Sequence, residues 1–332
     1  VVELFAGCGG LALGFEEAGL NCLFANDIDR DSCKTLRENR PNWNVLNRDI
    51  HQITDSEFKK YKGANVVSGG FPCQAFSYAG KKMGFKDTRG TLFYEFARAV
   101  KIIKPQICIA ENVRGLVSHD NGKTLKTIID VMENDIGYDV ISPEICQAIF
   151  YEVPQKRERL FLIGIKKGSG LIFNYPDKVS EPYTVKDALK KGRLFKTNVP
   201  KAEFQKYTKR KQQIMSKVPG GGNWRDLPEK LQKEYMGGSY HLGGGKTGIA
   251  RRLSWDEPSL TLTTAPAMKQ TERAHPEENR PLTYREYARI QTFPDDWNFM
   301  GSLNSKYKQI GNAVPVNLAK YIGYEIIRAL NK

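Results

Sequence analysis

The sequence has no run of about 18 apolar residues, the length a membrane-spanning helix needs. Val1 leads directly into a strand-like stretch and not into a signal peptide. Its six cysteines, Cys8, Cys22, Cys33, Cys73, Cys108 and Cys146, form no C-x-x-C pair and no cluster with histidine. That spacing argues against a zinc site or a disulfide framework and fits a reducing compartment. A cytoplasmic protein with no membrane partner and no metal is therefore expected. Internal repeats and low-complexity tracts are absent as well. Acid is the scarce charge: 37 Asp and Glu stand against 51 Lys and Arg, a net charge of +14.

What is present is ordinary in bulk and uneven in detail. A length of 332 residues suits two domains or one large one, with 40% hydrophobic and 27% charged residues as in soluble globular proteins. The basic surplus is concentrated: residues 186–217 hold eleven Lys or Arg and two acids, so nine of the fourteen excess charges lie in 32 residues. A local cationic field of this kind suits a polyanion, nucleic acid above all.

The chain from 1 to 165 alternates strand-like and helix-like stretches, which predicts a mostly parallel sheet wrapped by helices. Residues 1–5 read as a strand, 6–10 as a glycine turn and 11–18 as a helix, the opening of a nucleotide-binding α/β unit. A second strand, 22–26, ends in Asp27, and Asp49 follows a third at 45–48. Acids at successive strand ends after a glycine turn favour an adenosine-type ligand, through the ribose hydroxyls. The strand at 65–68 runs into Gly69, Gly70, Phe71 and Pro72, which delivers Cys73 to the sheet rim as a candidate nucleophile. A helix at 92–103 and a strand at 106–110 lead to Glu111, another carboxylate at the rim. Residues 123–133 read as a helix, 138–146 as a strand and 160–165 as a strand that Arg157 and Arg159 enter at spacing two, hence on one face. Periodicity fades between 168 and 248, where a second, less regular domain is expected. Residues 251–264 read as a hairpin or strand pair, 283–291 as a helix with Thr283 as N-cap, and 316–330 as the closing helix.

Taken in order, FAGCGG (5–10), GGFPCQAFS (69–77), ENVRG (111–115), QKRER (155–159), RRLSWDEPSLTLTT (251–264) and GNAVP (311–315) resemble the cytosine-5 DNA methyltransferases of bacterial restriction–modification systems. The resemblance runs from Phe5 to the end, with about 170–250 covered by no motif. It implies a Rossmann-like, mostly parallel sheet with helices on both faces, plus a smaller, irregular, mainly β target-recognition domain. The implied boundaries are 1–179 for the catalytic and S-adenosylmethionine-binding domain, 180–275 for target recognition, 276–300 for a hinge and 301–332 for the return to the catalytic domain.

By the same resemblance, Cys73 adds as a thiolate to carbon 6 of cytosine, and carbon 5 then takes a methyl group from S-adenosylmethionine, leaving S-adenosyl-L-homocysteine. Glu111 holds ring nitrogen 3 and the exocyclic amine, while Arg157 and Arg159 bind the base carbonyl and brace the site. The donor site falls on Phe5, Ala6, Gly7, Gly9, Gly10, Asp27, Ile28, Asp49, Ile50, Pro72, Leu92 and Asn312. Ile28 stands where many family members have a tryptophan stacked on adenine. Double-stranded DNA is the implied partner, with the target base swung out of the stack. Gln74 and Ser77 match minor-groove positions, Lys209, Arg210 and Lys211 belong to the phosphate-binding block, and Arg225, Tyr240, His241, Arg252 and Thr261 lie in the region that reads bases. A monomer is expected, with a cognate restriction endonuclease sharing the recognition sequence. Three other readings are weaker. A transfer-RNA cytosine methyltransferase would carry a Cys-Phe-Thr tripeptide that is missing here. An inactive DNA-binding relative does not need Cys73, Glu111, Arg157 and Asn312 together. A nicotinamide oxidoreductase rests on the first glycine turn alone.

Overall fold

The computed structural model describes residues 1–72, 92–178, 181–243 and 247–331. Among them the strands are β1 (Val2–Leu4), β2 (Phe24–Asp27), β3 (Val45–Asn47), β4 (Val66–Gly69), β5 (Ile107–Val113), β6 (Tyr138–Val140), β7 (Glu144–Gln147), β8 (Gln155–Lys156), β9 (Glu158–Lys166) and β10 (Ser259–Leu260). The α-helices are α1 (Gly10–Ala18), α2 (Arg30–Asn39), α3 (Asp55–Lys59), α4 (Leu92–Ile103), α5 (Lys123–Asp130), α6 (Val185–Leu189), α7 (Lys209–Met215), α8 (Glu229–Met236), α9 (Tyr284–Ile290), α10 (Leu303–Asn312) and α11 (Val316–Leu330). None of these helices is long and apolar enough to cross a membrane. The chain divides into two compact units. One comprises Val1–Gln147, Glu158–Lys178 and Leu318–Lys332; the other comprises Ala148–Arg157 and Val179–Asn317. Residues 276–317, expected as hinge and start of the return, thus group with the second unit.

The first unit is built on one sheet in the order β3-β2-β1-β4-β5-β9-β6, with β7 also paired to β9. The pairs among β1 to β5 are parallel, and β9 runs against its neighbours β5, β6 and β7. Short, almost wholly apolar strands such as β4, buried along its length, are what a sheet covered by helices requires. The strand order reverses between β1 and β4, and in such sheets ligands bind outside the carboxyl ends at the reversal. α4 shows how the cover is made: Phe93, Phe96, Ala97, Val100 and Ile103 recur at helical spacing and are buried in the core with Val67, Cys108 and Leu162. Two local expectations are corrected. Residues 138–146 make two separate strands, β6 and β7, both on β9. The helix from Lys123 stops at Asp130, and Val131–Asp135 continue as a wider turn.

The second unit is not mainly β. Its described strands are β8 and β10, two residues each and parallel, while α6 to α10 supply most of its regular structure. The starts of α6, α7, α9 and α10 are each fixed by a side-chain cap. Thr184 and Thr283 make reciprocal capping boxes with Asp187 and Glu286, and Thr208 accepts the Lys211 N–H. One core gathers Tyr207, Ile214, Met215, Val218, Trp224, Leu227, Met236, Ile249, Ala250 and Ala274. The hairpin expected over 251–264 is absent: β10 pairs with β8, about a hundred residues earlier, and Arg252 makes an isolated bridge to Ala274.

Candidate active site

At the carboxyl ends of β1, β2 and β3 the backbone is pinned by side chains. Phe5 follows β1 with φ of 57°, a left-handed conformation unusual for a bulky residue and characteristic of functional turns. The Gly7 N–H donates to Asp27 Oδ2 at 2.7 Å, and the Asp29 N–H donates to Asp27 Oδ1 at 2.7 Å. Asp27 therefore fixes the glycine turn and the start of the segment that follows β2. Ile28 is 70% exposed, an apolar surface beside that carboxylate. Asp49 accepts the His51 N–H at 3.0 Å and lies 2.7 Å from His51 Nδ1, contacts that hold its carboxyl below the usual range. Ile50, by contrast, is packed in the core. The sequence reading missed two supporting residues. Asn26 Nδ2 donates to the Leu46 and Arg48 carbonyls, and Asn47 Nδ2 donates to those of Asp27 and Ile28. Asparagines closing adjacent parallel strands were the available signal.

At the ends of β4 and β5 lies a buried ion pair. Val113 opposes Arg159 in the antiparallel register of β5 and β9, so Glu111, two residues before Val113, shares a face with Arg159. Arg159 Nε sits 2.8 Å from Glu111 Oε1, with both side chains about nine-tenths buried. Burial pushes the Arg159 guanidinium below its ordinary pKa, and the Glu111 charge offsets part of that. The other Glu111 oxygen lies against Gly70, where a Cβ would come within 2.7 Å of it. Only glycine allows that approach. Asn112 faces the other way and donates to the Phe71 carbonyl at 2.8 Å, which fixes the chain leading to Pro72. Pro72 is exposed and Leu92 half-buried. Cys73, Gln74 and Ser77 lie outside the described residues. Burial pushes the thiols of Cys8, Cys22, Cys33 and Cys108 up, Cys22 to about 12 and Cys33 to about 11, which disfavours the reactive thiolate at all four.

In the second unit, Arg157 does not share a strand with Arg159. It falls between β8 and β9, and its N–H bonds back to the Gln155 carbonyl at 2.9 Å, so the spacing-two argument fails at that turn. Its guanidinium, buried, donates to the carbonyls of Leu262, Gly311 and Ala313. Asn312, between the last two, is exposed. Thr261 is half-buried and donates to the Lys156 carbonyl at 2.6 Å.

The expected DNA-facing residues separate into two groups. Arg252 is buried and spends all five donors inside the unit, on the Met215, Val218, His275 and Glu278 carbonyls and on Asn279 Oδ1. It is a structural staple with no donor left for a base edge. Lys211 is likewise turned inward, paired with the fully buried Glu272 and donating to the Ala267 carbonyl at 2.7 Å. Lys209, Arg210, Arg225 and His241 are exposed. Arg210 pairs with Glu234, and Arg225 lies 5.0 Å over the Trp224 ring. Tyr240 meets Trp224 and His241 edge to face at 6.0 and 5.0 Å.

Comparison with known proteins gives this arrangement its context. The family model for C-5 cytosine-specific DNA methylases matches residues 1–328. The chain is 60% identical to Type II methyltransferase M.Eco47II of Escherichia coli, over its whole length and 79% of that protein. It is 52% identical to Type II methyltransferase M.Sau96I of Staphylococcus aureus, again over its whole length and 76% of the relative. A crystal structure of a DNA modification methyltransferase encoded within an E. coli prophage superposes with a TM-score of 0.71 at 25% identity, covering 100% of this chain and 99% of the other. A DNMT2 structure from Spodoptera frugiperda shares the fold, with a TM-score of 0.64 at 19% identity and coverage of 100% and 99%. Acids at successive parallel strand ends, a buried Glu–Arg pair beside a glycine, and a match over nearly every residue lead to one conclusion: the chain belongs to the C-5 cytosine-specific DNA methylases, S-adenosylmethionine-dependent enzymes.

Proposed function

We propose that this chain methylates carbon 5 of a cytosine swung out of duplex DNA, within a short specific sequence of a restriction–modification system. The observation that carries the residue assignment is the buried Glu111–Arg159 pair pressed against Gly70 at the rim of the sheet. Carbon 5 of cytosine is a poor nucleophile. The Cys73 thiolate adds to carbon 6, forming a carbon–sulfur bond as nitrogen 3 takes a proton that the Glu111 carboxyl picks up from solvent when the base enters, and the resulting enamine makes carbon 5 nucleophilic. Glu111 holds nitrogen 3 and the exocyclic amine, and Arg159 takes the base carbonyl. Before the base arrives each neutralises the other, which limits the cost of burying both charges. After transfer the carbon 5 proton is lost and the thiolate is expelled.

S-Adenosylmethionine, when bound, supplies the electrophilic methyl group. The turn of Phe5, Ala6, Gly7, Gly9 and Gly10, with Asp27, Ile28, Asp49, Ile50, Pro72, Leu92 and Asn312, would hold it. The exposed Ile28 beside Asp27 suits an apolar ring next to a diol. Gln74 and Ser77 would enter the minor groove, with Lys209, Arg210, Arg225, Tyr240, His241 and Thr261 facing DNA. The enzyme would act as a monomer in the cytoplasm, beside a cognate endonuclease reading the same sequence.

Transfer of tritiated methyl groups to duplex DNA, followed by digestion to nucleosides, tests this directly. Label should appear in 5-methylcytosine, vanish with Cys73→Ser and fall by about two to four orders of magnitude with Glu111→Gln. A serine variant of near wild-type rate would remove Cys73 from the mechanism. Label entering transfer RNA and not duplex DNA would overturn the substrate.

A further inference from the structure

Three buried side chains of the second unit tie together two backbone segments that sequence separates by about fifty residues. The Leu262 N–H donates to Gln155 Oε1 at 2.8 Å, and the Leu262 carbonyl accepts from Arg157 Nη1 at 3.1 Å. Gln155 Nε2 passes the connection to Gln291 Oε1 at 2.8 Å. Gln291 Nε2 then donates to the carbonyls of Ile310 and Ala313 at 2.7 and 3.1 Å. Arg157 Nη2 closes the circuit on the carbonyls of Gly311 and Ala313, at 2.8 and 2.9 Å. Gln155 and Gln291 are wholly buried. The two segments also touch without side chains between them, since a Cβ on Gly311 would lie 2.3 Å from the Thr263 carbonyl oxygen.

The circuit is arranged around two exposed or half-exposed residues. Leu262, held through both its N–H and its carbonyl, lies between Thr261 and Thr263. The carbonyls of Gly311 and Ala313 flank Asn312 on either side. A connected buried network of this kind resists local adjustment, because moving one member strands a polar group of another without water.

We propose that Gln155, Arg157 and Gln291 are positioning residues that make the turn carrying Asn312 and the segment carrying Thr261 a single rigid piece, on which donor binding and DNA binding both depend. The proposal rests on the assignment above of Asn312 to the methyl donor and Thr261 to DNA. Gln291→Met keeps length and apolar fit but removes every side-chain hydrogen bond of that residue. Dissociation constants for S-adenosylmethionine alone and for duplex DNA alone are measured on the full chain, with near-ultraviolet circular dichroism reporting the fold. Both should weaken by about tenfold although Gln291 touches neither ligand. Gln155→Met should behave alike, and the double variant should be no worse than either single one, as for members of one network. Gln155→Met, at the other end of the same hydrogen bond, serves if the Gln291 variant does not fold. Asn312→Ala should weaken only the donor, and Thr261→Val only DNA. If both controls behave so while a folded Gln291 variant loses one affinity alone, or neither, the shared support is wrong; so too if the double variant is additive. If the controls themselves have no effect, the ligand assignments fail, and that failure is separately visible.

Discussion

At the middle of β1, Glu3 puts a carboxyl group where only 2% of the residue reaches solvent. The Ala12 N–H bonds to it, while its Oε2 has no hydrogen-bond partner among the described residues. Burial is the largest influence and pushes its pKa up from 4.5 to about 8, with Asp27 and Glu111 adding to the rise. The folded protein therefore keeps a proton that the unfolded chain gives up near pH 4.5. Because the folded pKa is the raised one, this contribution to stability is fully present below the unfolded value and is lost as pH rises through about 8. Glu3→Gln keeps the shape of the neutral acid and has no proton to lose. Its denaturant midpoint should stay flat from about pH 5 to about pH 9 where the wild type declines, with the largest gap at the alkaline end. Parallel curves for the two proteins would mean that Glu3 ionises in the fold without penalty.

On α7 three consecutive basic residues have different fates, and helical geometry is the reason. Lys211 shares a face with Ile214 and Met215, both buried in the core of the second unit, so its stem is drawn inward to the buried Glu272. Tyr235 also donates to Glu272 at 2.6 Å. Lys211→Met leaves that buried carboxylate without its cation and should destabilise the protein by on the order of 3 kcal/mol. Lys209→Met, on the exposed side, should stay within about 0.5 kcal/mol. Equal effects in chemical denaturation would refute the inward placement of Lys211. The same helix marks where legibility in the sequence ends. Charge counting finds the block at 186–217 but is blind to which lysines a helix turns inward. The alternation of strands and helices over 1–165, the glycine turn, the place of Glu111 near a strand end and the Thr283 cap were readable because each depends on neighbours within a few residues. The hairpin expected over 251–264 rests on Leu260 and Leu262 alternating with threonines, and that pattern misleads. Leu262 is buried but Leu260 only half-buried, and the Leu262 N–H and carbonyl are met by the side chains of Gln155 and Arg157 and not by a hairpin partner. Arg252 likewise looked like a base reader, because nothing local reveals the five internal acceptors around it.

For the whole molecule, the net charge of +14 overstates what is available to a polyanion. Within the basic block Lys211 and Arg210 are paired with Glu272 and Glu234, and Arg193 lies 4.0 Å over the Tyr183 ring. Lys201, Lys206 and Lys209 are exposed, which makes them the better candidates for phosphate binding. Arg225 and Tyr240 are built differently: their planar groups are packed against Trp224, an arrangement that lowers the entropy lost when a base edge is met. Two classes of variant should therefore separate. Replacing Lys201, Lys206 and Lys209 together by glutamine should weaken binding to all duplexes similarly and make the dependence on salt shallower, by about one unit of log-log slope for each phosphate no longer neutralised. Arg225→Ala should leave that slope almost unchanged, cost about 1–3 kcal/mol at one base pair and relax the choice of base there. Binding titrations at several salt concentrations, on a cognate duplex and on a set of single-pair changes, distinguish the two. If the triple variant changes sequence preference at constant slope, the exposed lysines read bases and the division of labour is reversed. If neither variant alters affinity, DNA meets a different face of the protein, and the surplus charge of this block serves solubility and long-range attraction alone.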